Sequence, residues 1–248
     1  MTLITGHRGA RNLWPENSLE GFSNVLALRV DAVEFDVHMT DAGELIIIHD
    51  ATLERTTEGR GPVRAISPEA RRTTRLKHSD ETLPTLADVL DVLVPADLPL
   101  HVELKNDEAG DPYDGIVAKV TTQLFDRGLA QRSYLTSFDV SVLKECRRVA
   151  PGIKRLVSVN TASAERHGGL SRFIETVDEL VEIVAVHHDL LEAEWALITD
   201  LLPLERLCVW TLNDEAMIAK WLERGIGHLT SDNPDKAIRL RQTFASAA

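Results

Sequence analysis

Val33-Glu34-Phe35-Asp36-Val37-His38 alternates apolar with ionisable side chains at every step. Side chains of an extended strand switch faces with period two, so Glu34, Asp36 and His38 share one face and Val33, Phe35 and Val37 the other. Leu100-His101-Val102-Glu103-Leu104-Lys105 repeats the pattern and brings His101, Glu103 and Lys105 onto one side. An exposed sheet edge would accept such a face, but a barrel strand buried on both sides would not hold unpaired carboxylates, because their desolvation is too costly. A cation has to compensate them. Glu34, Asp36 and Glu103 are hard oxygen donors near the ends of two strands, a set suited to one divalent ion, Mg2+ or Ca2+.

Outward from these two stretches, short β-branched runs alternate with helical patterns, the arrangement that gives parallel strands with helical crossovers. The expected strands are 3–6, 32–37, 45–49, 98–104, 133–136, 154–159, 181–187, 206–211 and 227–230. Helices are expected over 18–28, 86–93, 114–127, 140–149, 170–180, 191–201, 215–224 and 235–244. Asn17-x-x-Glu20 and Thr85-x-x-Asp88 have the form of capping boxes, and Gly128 and Gly225 fall just past helix ends. Eight helices interleaved with strands over 248 residues predict an α/β fold, a TIM (β/α)8 barrel forming a single domain over 1–248. The nine strand-like runs exceed that by one. Only seven residues separate Val37 from Leu45, too few for a helical crossover. The run at 45–49 therefore either doubles back along its neighbour or closes a hairpin, outside the eight-stranded closure. Residues 51–84, with Gly59, Gly61, Pro62 and Pro68, read as a small insertion after the His49-Asp50 strand, lying over one face.

The charge balance excludes several classes of partner. Lys and Arg number 27 against 39 Asp and Glu, a formal net charge of −12, and no basic run offers a footprint for nucleic acid or an anionic membrane surface. No apolar run is long enough to span a bilayer, and the first residues lack the features of a secretory leader, so a cytoplasmic protein is expected. Cys146 and Cys208 are expected to be reduced core thiols. Oligomeric state is not encoded in any feature of the sequence.

Two histidines close strand-like runs, His7 in Gly6-His7-Arg8-Gly9 and His49 in Ile48-His49-Asp50. Barrel active sites gather at the C-terminal ends of strands, so these histidines are expected beside the carboxylates. At this point the chain resembles the glycerophosphodiester phosphodiesterases. The resemblance runs through His7–Gly9, Pro15–Ser18, Val33–Val37, Thr40–Gly43, His49–Asp50, Arg55–Thr57, Pro84–Leu86, Val102–Lys105, Ser137–Phe138, Trp210–Asn213 and Ser231–Pro234, in that order. It implies a barrel of the phosphodiesterase type in which Glu34, Asp36 and Glu103 hold the metal and His7 and His49 are the acid/base pair. Arg8 and Lys105 would neutralise phosphate oxygens, and the partner would be a small phosphodiester. Such an anion repels nucleophiles, so its hydrolysis wants a cation on the non-bridging oxygens, a base for the attacking oxygen and an acid for the leaving alkoxide. Attack by water and attack by a neighbouring substrate hydroxyl, which releases a cyclic phosphate, both remain open, as does a sugar phosphodiester substrate.

Other residues carry weaker signals. Asn17 suits helix capping as well as ligand contact, and Glu16 suits substrate contact as well as bracing of its loop. Trp210 and Phe138 would wall the pocket against the leaving alcohol. Ser231 and Asp232 read as helix caps, His38 as pocket rim and His101 as a hydrogen-bonded lumen residue. His187 and His188, adjacent on a strand, would point to opposite faces. Residues 71–81 are basic, a solvated helix face or a lid that recruits an anion. A non-catalytic phosphodiester-binding barrel would not need two histidines, and a Schiff-base lyase would not place its Lys105 beside metal carboxylates, where it stays protonated.

Overall fold

In a computed structural model, which describes residues 1–247, the alternation of strand and helix closes on itself. The barrel strands are β1 (Leu3–His7), β2 (Ala32–Met39), β4 (Leu100–Leu104), β5 (Ser133–Ser137), β6 (Lys154–Val159), β7 (Ile183–His187), β8 (Leu207–Trp210) and β9 (His228–Ser231). Each is parallel to the next, and β9 pairs with β1, which pairs in turn with β2. The ninth run, β3 (Leu45–Ile47), lies antiparallel on β2 with Val37 opposite Ile47 and Met39 opposite Leu45. The hairpin is the resolution the short linker allowed. Its turn is closed by hydrogen bonds from the Thr40 amide to the Glu44 carbonyl and from the Gly43 amide to the Thr40 carbonyl, with Gly43 at φ +84°, a conformation glycine adopts without steric cost.

The outer layer comprises α1 (Leu19–Ala27), α2 (Pro68–Arg71), α3 (Leu86–Leu93), α4 (Ile116–Asp126), α5 (Val140–Val149), α6 (Thr161–Arg166), α7 (Leu170–Val177), α8 (His188–Ala193), α9 (Trp195–Leu201), α10 (Glu215–Glu223) and α11 (Pro234–Ala247). The helix expected over 191–201 is two, α8 and α9, meeting at Glu194, whose φ −110° and ψ 20° leave the helical region. The four-residue α2 and six-residue α6 are too short for periodicity to reveal. The Thr85-x-x-Asp88 box is formed as expected. The one expected at Asn17 is not: Ser18 is the N-cap, its side chain accepting from the Gly21 amide, and Asn17 is released to face the barrel.

The period-two face carrying Val33, Phe35 and Val37 is fully buried against the helices, with Phe35 edge-on to Phe22 of α1 at 5.8 Å. The interface between barrel and helices is therefore the main core, and the opposite face of the same strands is free for polar side chains. Residues 51–84 carry their own small core, in which Leu53, Val63, Ile66, Leu76 and Leu83 pack on Ile46 and Ile48.

Candidate active site

The C-terminal ends of β1, β2 and β4 converge on one cavity, lined in part by His7, Arg8, Glu34, His49, Glu103 and Trp210. Glu34, Asp36 and Glu103 present carboxylate oxygens within 4.8 Å of one another. Register explains the meeting: Asp36 is paired with Glu103 across β2 and β4, and His7 with Glu34 across β1 and β2.

Two cations of the chain answer these three acids. The Arg8 Nε lies 3.1 Å from Asp36 Oδ2, and Lys105 Nζ lies 2.7 Å from Glu103 Oε1 and 3.5 Å from Asp36 Oδ1. Asn17 Nδ2 donates to Asp36 Oδ2 at 3.0 Å. Burial opposes the Asp36 charge, yet Arg8 and Lys105 hold its carboxyl well below the usual carboxylate range. Glu34 goes the other way: burial first, then the fields of Asp36 and Glu103, push it well above its ordinary value. Glu34 is thus the acid that the chain's own cations leave uncompensated. Glu34 Oε1 and Asp36 Oδ1 are also buried without a hydrogen-bond partner. Orphan oxygens on converging hard donors fit a divalent cation, which would satisfy both the hydrogen-bonding deficit and the charge deficit.

The backbone turns sharply after β1. Arg8, Gly9 and Ala10 have φ of +52°, +74° and +64°. A side chain at Gly9 would meet the Gly21 carbonyl carbon at 3.0 Å, so the close approach of this turn to α1 requires glycine. Arg8 is held in that conformation from every side: its amide donates to the Glu34 carbonyl at 3.0 Å, and its Nη1 donates to Glu16 Oε1 at 3.1 Å. Both Glu16 oxygens also accept from Arg55, at 2.8 and 2.9 Å. Glu16 therefore sits among arginines, and although burial opposes its charge, the Arg55 hydrogen bonds and the Arg8 field hold it below the usual range.

Each histidine is oriented by an aspartate through Nδ1. His7 Nδ1 donates to Asp232 Oδ1 at 2.5 Å, leaving Nε2 on the side of Glu34, 3.7 Å from Oε2. His49 Nδ1 donates to Asp50 Oδ1 at 2.7 Å. Burial, then the Arg8 charge, lowers the His7 imidazole, although Asp232 opposes the shift. His49 is lowered chiefly by burial, with Lys105 and Arg8 adding to it. Both shifts favour the neutral ring, whose Nε2 is free to accept a proton. Asp50 is held down to about 2 because hydrogen bonds from Arg55 and His49 outweigh its burial.

Several sequence readings are corrected here. Asp232 is no simple cap: it binds His7, Arg11 at 2.8 Å and the Asn213 side chain at 2.7 Å. Its link to His7 spans 225 positions, so no local pattern could have announced it. Arg11, which the sequence reading did not single out, reaches Asp232 across a similarly long separation, and Arg55, quoted only as part of the Arg55–Thr57 motif, proves to hold Glu16 and Asp50. His38 is not pocket rim but buried, its Nε2 donating to the His49 carbonyl at 3.1 Å and its Nδ1 accepting from Tyr113 at 2.9 Å. Burial depresses its imidazole to about 4, which keeps it neutral and braces the His49 backbone. His101 is in the lumen, against Tyr134 at 5.2 Å, but among the described residues it lacks the expected hydrogen bond. His187 and His188 do not face apart: β7 ends between them, and their rings lie 4.3 Å apart. Phe138 and Trp210 form the opposite wall, edge-on at 5.5 Å, with the Trp210 indole N–H donating to the Ala185 carbonyl at 3.0 Å.

Fold and site define a TIM barrel whose mouth combines a carboxylate triad with two aspartate-oriented histidines. The chain belongs to the glycerophosphoryl diester phosphodiesterase family, whose sequence profile matches residues 7–236. It is 28% identical to a glycerophosphodiester phosphodiesterase of Bacillus altitudinis, over 98% of this chain and 99% of that one. Two other relatives, from Bacillus subtilis and Caldanaerobacter subterraneus, are 34% and 30% identical, and the chain spans 66% and 65% of their lengths. A crystal structure of a family protein from Agrobacterium tumefaciens superposes with a TM-score of 0.90 at 26% identity, covering 99% of each chain. A phosphodiesterase from Oleispira antarctica, solved in complex with the product sn-glycerol-3-phosphate, shares the fold with a TM-score of 0.77 at 23% identity, over 97% of this chain and 96% of that one. Among the described residues no helix is long and apolar enough to cross a membrane.

Proposed function

We propose that this protein hydrolyses a small glycerophosphodiester to sn-glycerol 3-phosphate and an alcohol, using a divalent cation, Mg2+ or Ca2+, held by Glu34, Asp36 and Glu103. The observation that carries the reading is one cavity in which three converging carboxylates, two of them with orphan oxygens, meet two histidines whose Nδ1 atoms are both anchored on aspartate. The bound cation supplies charge on the phosphate oxygens. Arg8 and Lys105 add fixed positive charge at the same place. Glu16 acts by aiming Arg8 and Arg55, and Asn17 by holding Asp36. Of His7 and His49, one, neutral and with Nε2 open, takes the proton of the attacking oxygen, while the other, carrying a proton on Nε2, gives it to the leaving alkoxide. Phe138 and Trp210 shield the alcohol from water. The family membership of the chain and the product complex of the Oleispira antarctica relative support this substrate class.

Turnover of glycerophosphocholine with Mg2+, Ca2+ or Mn2+, followed by phosphorus NMR, tests the reading. His7→Ala and His49→Ala are each expected to lower kcat by about 10²–10⁴-fold. Wild-type rates in both variants, or no turnover with any of the three metals, would sink it.

A further inference from the structure

Two histidines and an aspartate meet at the end of β7, outside the groups given a role above. The strand stops at His187 and α8 starts at His188, and this break brings both imidazoles together beside Asp189, against the alternation that an unbroken strand imposes. One donor atom from each of the three residues lies within 4.8 Å of the other two. Asp189 oxygens stand 3.0 Å from His188 Nδ1 and 3.8 Å from His187 Nδ1. Ligands about 2.0–2.1 Å from one tetrahedral zinc ion are themselves about 3.3 Å apart, so these spacings straddle what a shared ion needs. The 3.0 Å approach is not a hydrogen bond, because His188 Nδ1 is buried without a partner. A ring nitrogen and a carboxylate oxygen thus face each other with nothing joining them, an arrangement that a shared cation completes. Among the described residues no lysine or arginine pairs with Asp189, whereas nearby Glu192 is taken by Lys220 and Arg224. Burial, then the His188 field, lowers the His187 imidazole, which favours its neutral, metal-binding form. The donors differ in kind from the carboxylate triad: two imidazoles and one carboxylate suit a borderline ion of the zinc class, where three carboxylates suit Mg2+ or Ca2+. His187 is also the register partner of Trp210, its ring edge-on to the indole at 5.0 Å.

We propose that His187, His188 and Asp189 form a second metal site, for Zn2+ or a similar borderline ion, on the rim of the barrel mouth beside Trp210. It is separate from the carboxylate triad and does not depend on the phosphodiesterase reading.

Calorimetric titration of the tag-free, Mg2+-loaded protein with Zn2+ tests it. Zn2+ is expected to bind, and His187→Ala and His188→Ala should each weaken it by at least about tenfold, the least that loss of a metal ligand costs. Glu34→Gln, which breaks the carboxylate triad, should keep that Zn2+ affinity; melting curves confirm that the variants fold. Ni2+ bound to the same donors lies close to Trp210 and should quench indole fluorescence, and the quench should shrink in Trp210→Phe. Absence of Zn2+ binding, or an affinity unchanged in both histidine variants, overturns the proposal and leaves His187 and Asp189 as helix-capping groups. Loss of Zn2+ binding in Glu34→Gln with the histidine variants unaffected puts the ion in the triad and equally overturns it. Quenching that is identical in Trp210→Phe removes the ion from the rim.

Discussion

The two halves of the barrel mouth are chemically opposite. Along β1, β2 and β4 stand His7, Glu34, Asp36 and Glu103; Asp36 and Glu103 are tied by ion pairs to Arg8 and Lys105, and Glu34 faces His7. Along β7 and β8 the same cavity meets Ala185, Cys208 and Trp210, and the polar atom of Trp210 is spent on a backbone carbonyl. On the proposed function, such segregation concentrates charge where an anion has to be neutralised and leaves the other wall to pack against an uncharged alcohol. It also makes the charged half unstable on its own terms. Three buried carboxylates against two cations leave a charge deficit that the proposed cation would fill, at a cost to stability when it is removed.

The sharpest way to break the contrast is to neutralise the uncompensated acid. Glu34→Gln should lower kcat by about 10³-fold or more, several kcal/mol of transition-state charge stabilisation being lost. The same change should raise the melting temperature of the chelator-treated protein, by relieving repulsion among the carboxylates, and should abolish the rise that Mg2+ or Ca2+ gives the wild type. A wild-type melting curve indifferent to both ions would contradict the cation site.

Asp232→Asn should follow, with a loss of roughly 10- to 100-fold in kcat, since an orienting partner behind a functional histidine is typically worth that much. Its signature is a displaced pH–rate profile. Asp232 raises the His7 affinity for protons against the burial and Arg8 terms that lower it. Removing that carboxylate therefore moves the His7 limb of the profile to lower pH. A limb that stays in place would assign Asp232 to structure alone.

On the apolar half, Trp210→Ala is expected to raise KM by about tenfold with kcat nearly kept, as the loss of one buried aromatic contact predicts. A fall in kcat without change in KM would move Trp210 out of the alcohol wall. The smallest effect concerns Cys208. Burial pushes both Cys208 and Cys146 up to about 12, so neither forms a thiolate at neutral pH. Ellman's reagent should label no thiol in the native protein and both after unfolding; labelling of native Cys208 would show that the apolar wall opens.

Much of this was legible before folding, and the reason is local. The alternations at 33–38 and 100–105 assign residues to faces because a strand has period two, and the same arithmetic put Glu34 and Asp36 on one face of their strand and Glu103 with Lys105 on one face of theirs. The sequence alone also revealed the surplus strand, because seven residues cannot hold a crossover helix. What it left open was whether that strand doubled back or paired as a hairpin, since the choice depends on how the Thr40–Glu44 turn closes.

The rest was decided by closure of the barrel. Asp232 reaches His7 only because β9 returns beside β1, 225 positions away, and Arg55 reaches Glu16 only because the segment after β3 folds over the mouth. Asn17, readable as a cap, turns toward Asp36 because Ser18 caps the helix in its place. The sequence by itself determined the chemical inventory and the face each group occupies, which follow from backbone periodicity. Only the tertiary structure decided which charges compensate one another and which acid, Glu34, is left over, because pairing energies depend on distance and burial that no local pattern contains.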